Sequence, residues 1–166
     1  YCNQRSQAVL EYYAKAEFDP KDEKVNGDIF EFIAEYCKEI TQKVCEEEDQ
    51  NIVIETTING SFPCSFVPQD IGVVIDNIVS NSYKNKANRV VFEMYLENGQ
   101  GIVKAIDNGN GLDPNADVNS LFEFGKSFTK YGTGVGLYHI RQIINDMGGF
   151  VTINIDKKDG FELKMR

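Results

Sequence analysis

A single carboxylate followed by two glycines is the first feature of this chain that could do chemistry. The apolar run Ile102–Ile106 predicts a strand, and Asp107 comes directly after it. Gly109 and Gly111 follow, and glycines this close together let the backbone approach a flat ligand whose edge would meet the carboxylate. A plain turn is the alternative, because Asn-Gly is also a common hairpin signal. Both interpretations place Asp107 at the end of a strand.

Three carboxamides line one face of a predicted helix upstream of this strand. Asn77, Asn81 and Asn85 occupy successive i, i+4 positions, on a different face from the apolar stripe of the same helix. That stripe consists of branched apolar residues: Ile71, Val74, Ile75, Ile78 and Val79. Asparagine has only modest helix propensity, so a row of three is unusual. A solvated polar face is the alternative explanation.

A glycine string precedes the last predicted helix. Gly132–Gly136, with the sequence GTGVG, would present free backbone N–H groups at the positive end of that helix, and such groups bind phosphate. The string lacks the Gly-Lys-Ser/Thr ending of a P-loop and the spacing of a dinucleotide fingerprint. Ordinary helix capping is the alternative.

Helical periodicity predicts the elements that must carry these residues. Residues 1–17 have the pattern of the end of a preceding helix. Asp28 has the form of an N-cap with Glu31 three residues on, and a helix of about five turns should follow. Pro68 suits the first turn of the asparagine-bearing helix. The last helix should cover Gly134–Met147 and end at two glycines.

Alternating patterns predict the strands, and the turn residues between them predict hairpins. The predicted pairs are 52–58 with 61–66, 89–97 with 101–107, and 150–155 with 160–164. Residues 19–27 have the composition of a polar connector. Residues 112–131 are long enough for a lid or binding loop, with a short helical candidate at 118–123.

Net charge and its distribution limit the partners of this chain. The charge is -9 at pH 7, which argues against nucleic acid, because affinity for a phosphate backbone comes from clustered lysine and arginine. Residues 1–60 hold 14 acidic and 6 basic side chains, whereas residues 61–166 hold 12 and 11. The half with the three motifs is therefore nearly neutral and could accept a polyanionic ligand.

Length and cysteine usage indicate one domain whose cysteine thiols are reduced. The 166 residues can bury a core without disulfides, and the four cysteines show no paired-ligand spacing. Reduced thiols fit a cytoplasmic domain. No run reaches the roughly 18 apolar residues of a membrane span. Because the chain begins at Tyr1, we expect it to be a piece of a longer protein that could carry a membrane anchor elsewhere.

Taken in order, the motifs resemble those of the GHKL superfamily, the ATP-binding fold shared by sensor histidine kinases, type II topoisomerases, mismatch-repair ATPases and a heat-shock chaperone. The similar stretches are an asparagine box at Asn77–Lys84, a first glycine box at Asp107–Gly111, a phenylalanine box at Phe122–Phe124 and a second glycine box at Gly132–Leu137. The resemblance covers roughly residues 27–166. It implies an α/β (α+β) two-layer sandwich of the Bergerat type, with a mixed, mostly antiparallel sheet packed against three helices.

The same resemblance implies how the base of ATP would be held. Asp107 would accept a hydrogen bond from the adenine amino group, as the polar contact that sets orientation in an apolar pocket. Gly109 and Gly111 would let the chain pass close to the base, with Leu112 beside them.

For the triphosphate, the resemblance implies that Asn81, with Asn77, holds Mg2+ through oxygen. Lys84 would neutralise phosphate charge. These three residues would form the catalytic set. The remaining nucleotide-binding positions lie in the lid and the second glycine box: Thr129, Lys130, Gly132, Gly134, Gly136 and Leu137.

One position separates the branches of this superfamily. Members that hydrolyse ATP usually carry a glutamate four residues before the metal-binding asparagine, and this chain has Asn77 there, which cannot act as a general base. Histidine kinases commonly carry asparagine, because their nucleophile is an imidazole of a separate helical domain. Asp76 is adjacent, but it points about 100° away on a helix.

The resemblance therefore implies the catalytic domain of a two-component sensor histidine kinase, which transfers the γ-phosphoryl group of Mg-ATP to a histidine outside this chain. His139 is expected to be structural. Residues 1–17 would end a dimerisation and phosphoacceptor domain. The implied partners are a phosphoacceptor histidine domain of the same or a partner chain, and a response regulator. The parent would be a homodimeric signal-transduction phosphoprotein.

Two alternatives stay open on the sequence. One is a conformational ATPase like the mismatch-repair and chaperone members, and the other is a nucleotide-binding regulatory module without catalysis. Ser82 stands where the kinases usually have alanine, and Asn85 where some have an aromatic residue. Both departures affect the side of the helix expected to face adenine.

Overall fold

The computed structural model describes residues 17–19, 24–112, 117–125, 134–154, 157 and 159–166. In these ranges the chain forms eight strands: β1 Glu17–Asp19, β2 Lys24–Asp28, β3 Val53–Asn59, β4 Pro63–Phe66, β5 Arg89–Glu97, β6 Gln100–Asp107, β7 Val151–Ile153 and β8 Glu162–Met165. The helices are α1 Ile29–Tyr36, a π-helical segment Cys37–Thr41, α2 Gln42–Glu47, α3 Pro68–Lys84, a 3-10 turn Val118–Phe122 and α4 Gly136–Asp146.

The strands form two sheets. The larger has the order β3-β5-β6-β8-β7, in which β3 and β5 are parallel and the other described neighbours are antiparallel. The smaller has the order β1-β2-β4 and is antiparallel. Since α1, the π-helical segment and α2 follow one another without a break, three helical bodies pack with the larger sheet. This confirms the predicted sandwich of a mixed, mostly antiparallel sheet and three helices.

The continuous helix formed by α1, the π-helical segment and α2 begins where the sequence predicted. Asp28 caps it by accepting a hydrogen bond from the backbone N–H of Phe30 at 2.9 Å, and it also accepts one from Phe62 at 3.3 Å. Partial burial acts to raise the pKa of Asp28, but hydrogen bonds from the Ser61 hydroxyl and from backbone N–H groups outweigh it and lower that pKa. The cap thus joins the start of α1 to the chain leading into β4.

The π-helical segment in the middle of this helix was not predicted from its periodicity. It begins at Cys37, whose thiol is buried. Burial, together with the nearby charge of Asp76, raises the pKa of Cys37 to about 12. The cysteines of the described ranges, Cys37, Cys45 and Cys64, carry free thiols, in agreement with the sequence prediction.

The predicted hairpin over Asn59-Gly60 is wrong. β3 pairs in parallel with β5, while β4 pairs with β2, so residues 24–28 are a strand and not part of a polar connector. The physical reason is burial at a distance in sequence: Val25 lies opposite Phe66, both are fully buried, and Phe66 packs on Phe32 of α1 with ring centroids 5.3 Å apart. Val25 is the one apolar side chain among the five residues of β2, which gave the strand too little alternation to detect.

The other two predicted hairpins form. β5 and β6 are joined through Asn98 and Gly99, both with positive φ, as a tight hairpin turn requires. β7 and β8 pair antiparallel. The helix predicted over residues 1–17 lies outside the described residues except for Glu17, which begins β1.

The core lies between the larger sheet and the helices. Its fully buried side chains come from α1, α3, α4 and the larger sheet: Phe30, Ile75, Ile140, Val90, Phe92, Met94 and Leu163. The predicted stripe of α3 is buried throughout. Asn77 and Asn81 of the same helix lie near Gly136 at the start of α4. Among the described residues, no helix has both the length and the apolar content needed to cross a membrane.

Candidate functional site

The site begins at Asp107, the last residue of β6. Its side chain is only 5% exposed and receives three hydrogen bonds. Oδ1 accepts from the backbone N–H groups of Gly109 at 2.9 Å and Phe161 at 3.0 Å, and Oδ2 accepts from the hydroxyl of Ser82 at 2.6 Å. A buried carboxylate is tolerable only with such partners. The orientation of the carboxylate is therefore fixed by α3, by the turn after β6 and by the residue before β8.

The glycines after Asp107 are needed for contact with the protein itself. A Cβ on Gly109 would lie 2.7 Å from the carbonyl oxygen of Asn85, and one on Gly111 would lie 2.8 Å from that of Gly160. Gly111 also has a φ of +71°, which other residues rarely adopt. This packing accounts for both glycines. Their predicted contact with a base stays a prediction.

The asparagine row and the second glycine box meet where α3 passes α4. A Cβ on Gly136 would lie 2.9 Å from Asn77 Oδ1 and 3.3 Å from Asn81 Nδ2. Asn77 Nδ2 donates to the carbonyl of Val73 at 2.8 Å, so its oxygen is the atom turned toward Gly136. Asn85 instead donates to the carbonyl of Asn81 at 3.0 Å and lies at the end of α3.

Asn77 and Asn81 fit a magnesium site of the kind that shares its ligands with phosphate. Mg2+ takes oxygen ligands, keeps several waters and needs only one or two protein side chains when phosphates supply the rest. Because Gly136 has no Cβ, the Asn77 oxygen is not blocked from that side. In the described ranges no group of three or more His, Cys, Asp or Glu side chains could hold a metal by themselves. Binding of Mg2+ by Asn77 and Asn81 stays a prediction.

Asp76 is turned away from this meeting point. Its Oδ2 accepts a hydrogen bond from the Tyr36 hydroxyl of α1 at 3.2 Å, on the side of α3 that faces α1. This confirms the expectation that Asp76 points away from the row containing Asn77. It is not placed to act as a base for a water beside Asn77.

The described ends of the predicted lid rest on α4. The N–H of Gly125 donates to the carbonyl of Gly134 at 3.1 Å. Phe122 is buried beneath the guanidinium of Arg141, which lies 5.5 Å from its ring centroid. Phe124 is 69% exposed and makes an edge contact with Tyr138 at 5.4 Å. The described part of the lid is therefore tied to the helix that starts at the second glycine box.

Of the remaining predicted site residues, some lie in the described ranges and others do not. Lys84 is exposed in the last turn of α3, and Leu112 and Leu137 are half-buried against the core. Gly134 adopts a φ of +69°. Three others lie outside the described residues: Thr129, Lys130 and Gly132. His139, predicted to be structural, is exposed on α4 beside Tyr138.

Sequence reasoning missed several residues that shape the site. Gly160 packs so closely under β6 that a Cβ would collide with the carbonyl oxygen of Asp107, and the next residue supplies an N–H to its carboxylate. Asn108 Oδ1 accepts from the N–H groups of Asn88 at 3.1 Å and Arg89 at 3.0 Å. Ser82 had appeared only as a departure from a family pattern. Its hydroxyl, conspicuous on a buried helix face, was the available signal.

The fold thus brings three motifs that are distant in sequence close together. Asn81 and Ser82 are adjacent on α3, Ser82 donates a hydrogen bond to Asp107, and a Cβ on Gly136 of α4 would lie 3.3 Å from Asn81 Nδ2. A carboxylate that accepts hydrogen bonds lies at one end of this group. The carboxamides of Asn77 and Asn81 and the N-terminus of α4 lie at the other end. Such an arrangement suits a ligand with a donor-bearing ring and a polyanionic tail.

Comparison with solved structures finds the same fold in sensor histidine kinases. The mycobacterial sensor histidine kinase MprB has a TM-score of 0.67 and 20% identity, with 84% of this chain and 93% of that chain covered. The ATP binding domain of PrrB from Mycobacterium tuberculosis has a TM-score of 0.68 and 18% identity, with 87% and 96% covered. The catalytic domain of the histidine kinase ThkA has a TM-score of 0.65 and 21% identity, with 86% and 95% covered.

A search of curated proteins finds no match, but comparison with family models agrees with the structural result. The family model described as histidine kinase-, DNA gyrase B-, and HSP90-like ATPase matches residues 66–166, which is more than half of the chain and includes α3, β6 and α4. This chain belongs to the histidine kinase-, DNA gyrase B- and HSP90-like ATPase family.

Proposed function

We propose that this chain is the ATP-binding catalytic domain of a two-component sensor histidine kinase. It would transfer the γ-phosphoryl group of Mg-ATP to a histidine outside the chain. The observation that carries the proposal is the chain of contacts from Asp107 through Ser82 and Asn81 to Gly136, which joins the base-reading and phosphate-binding motifs.

Asp107 supports recognition of adenine. With three donors already aimed at it, the carboxylate can offer a ligand only acceptor sites, and the adenine amino group is a donor. The residue lies at the end of a strand held on both sides, by β5 and β8. The contact would therefore be preorganised.

Asn77, Asn81 and Lys84 support binding of the triphosphate with magnesium. The two carboxamide oxygens would hold Mg2+, which supplies charge neutralisation at the transferred phosphoryl group. Lys84, exposed at the end of α3, would neutralise further phosphate charge. Thr129, Lys130 and Gly132 are proposed as further nucleotide-binding residues, and Gly134, Gly136 and Leu137 are proposed to line the phosphate site at the start of α4.

Transfer needs little from this chain beyond positioning and electrostatics. A nitrogen of the acceptor imidazole would form a bond to the γ-phosphorus while the bond to the β,γ-bridging oxygen breaks, leaving ADP. No base for water is needed, which agrees with Asn77 at its position and with Asp76 turned toward Tyr36. The acceptor domain and a response regulator are the proposed partners.

Nucleotide titration of the purified chain tests the binding half of this proposal. Asp107→Asn should weaken ATP binding by about tenfold or more, because an amide nitrogen would then face groups that donate to the carboxylate. The exposed Asp146→Asn is the matched control and should bind ATP normally. Equal affinity in the two variants would refute adenine recognition by Asp107.

Phosphate release separates the kinase from a conformational ATPase. The chain alone should release phosphate slowly, and an added histidine-bearing acceptor domain should gain an acid-labile phosphoryl group. Asn81→Ala should abolish that transfer by weakening Mg-ATP binding. Steady phosphate release without an acceptor, lost in Asn81→Ala, would favour the ATPase instead.

A further inference from the structure

Ser82 is the side chain through which α3 touches the carboxylate at the end of β6. Its hydroxyl donates to Asp107 Oδ2 over 2.6 Å, and the two residues are 3% and 5% exposed. That distance is typical of a charge-assisted bond between a hydroxyl and a carboxylate. Because Asn81 directly precedes Ser82, the bond couples the proposed metal-binding helix to the proposed base-reading strand.

The hydrogen bonds of Asp107 leave one oxygen for a ligand. Oδ1 already accepts from Gly109 and Phe161, which uses both of its lone pairs. Within the part of the chain that the structure describes, Oδ2 accepts from Ser82 alone, so one acceptor position remains there. The Ser82 hydroxyl is therefore the group that fixes how the free position of Oδ2 is directed.

We propose that Ser82 is a positioning residue that sets which nucleobase Asp107 accepts, an inference that rests on the proposed nucleotide site. With the hydroxyl in place, Oδ2 presents its free acceptor position to the amino group of adenine. Guanine carries a carbonyl oxygen at the same ring position, and two acceptors would then face each other. Without the hydroxyl, the carboxylate is held at Oδ1 only and its orientation is less restricted.

Dissociation constants for ATP and GTP, measured on the full chain and its variants, test this role. Ser82→Ala should weaken ATP binding by about tenfold and change GTP binding little, so the preference for ATP falls by the same factor. Ser82→Cys should behave like Ser82→Ala, because a thiol of similar size is a weak donor. Ser80→Ala on the same helix is the control and should keep the preference of the unaltered chain.

Two results would overturn the inference while leaving the proposed function intact. One is a Ser82→Ala variant with an unchanged preference for ATP. The other is a Ser82→Cys variant that binds like the unaltered chain, which would show that Ser82 only fills space. If Ser82→Ala does not fold, Ser82→Cys decides alone. An unaltered chain that binds neither nucleotide would overturn the proposed function together with this inference.

Discussion

Gly160 offers a direct test of how β8 supports Asp107. The residue precedes β8 with a φ of +91°, and a Cβ there would collide with the carbonyl oxygen of Asp107. The same Cβ would lie 2.8 Å from the carbonyl carbon of Asp107 and 3.0 Å from Cα of Asn108. All three are backbone atoms, so no side chain can rotate to make room. In Gly160→Ala the chain before β8 must move away from β6.

That movement has a predictable energetic effect. It would break the bond from the Phe161 N–H to the Asp107 carboxylate and the bond from the Asp107 N–H to the Phe161 carbonyl, now 3.0 and 2.9 Å long. The first, to a carboxylate, is worth about 1.5–3 kcal/mol and the second about 1 kcal/mol. Gly148 is the matched control, since its φ is +81° and a Cβ added to it would meet no neighbouring atom within 4 Å. Both alanines carry the left-handed strain of about 1–2 kcal/mol, so Gly160→Ala should be less stable than Gly148→Ala by about 2.5–4 kcal/mol.

Urea unfolding of the two variants measures this difference, with the slope of the transition compared to confirm that the same surface is exposed. ATP titration provides the second readout: Gly160→Ala should lose affinity because Asp107 is displaced, whereas Gly148→Ala should keep it. Equal stability and equal ATP affinity in the two variants would refute the close packing of Gly160 beneath Asp107.

Three further predictions follow from the described contacts. Gly136→Ala should change the free energy of unfolding by no more than about 1 kcal/mol, because alanine favours a helix. It should weaken Mg-ATP binding by about tenfold or more, because its Cβ would displace the Asn77 oxygen. Unchanged Mg-ATP affinity would argue against the site. Cys37, whose pKa is raised to about 12 by burial and the charge of Asp76, should resist alkylation until the chain unfolds, as peptide mass mapping would show, and rapid native labelling would contradict this. Hydrogen bonds that outweigh burial hold the folded-state pKa of Asp28 below its unfolded value, so their stabilisation is complete above about pH 4 and is lost as pH falls through the folded pKa. Urea midpoints measured between about pH 6 and about pH 3 should therefore fall less steeply in Asp28→Asn, and equal slopes would exclude this contribution.

Local patterns were sufficient wherever an element depends on its own residues. The apolar stripe of α3 repeats at helical spacing, and the turn at Asn98 and Gly99 lies between two alternating strands, so both were predicted correctly. The N-cap at Asp28 was also correct, because its partner is two residues away. Asp107 and Asn81 could be selected as candidate site residues for the same reason, since order and spacing are properties of the chain alone.

Partners far apart in sequence could not be found in this way. β4 pairs with β2 and not with β3, because pairing buries Phe66 against Val25, about forty residues away. The hydroxyl of Ser82 bonds to Asp107, which lies 25 residues later in the sequence. Gly160 packs against the backbone of Asp107 from 53 residues further on. A sequence states which groups can donate, accept or leave space. Which of them meet depends on how sheet and helices pack, because burial is shared among segments that the order of residues does not bring together.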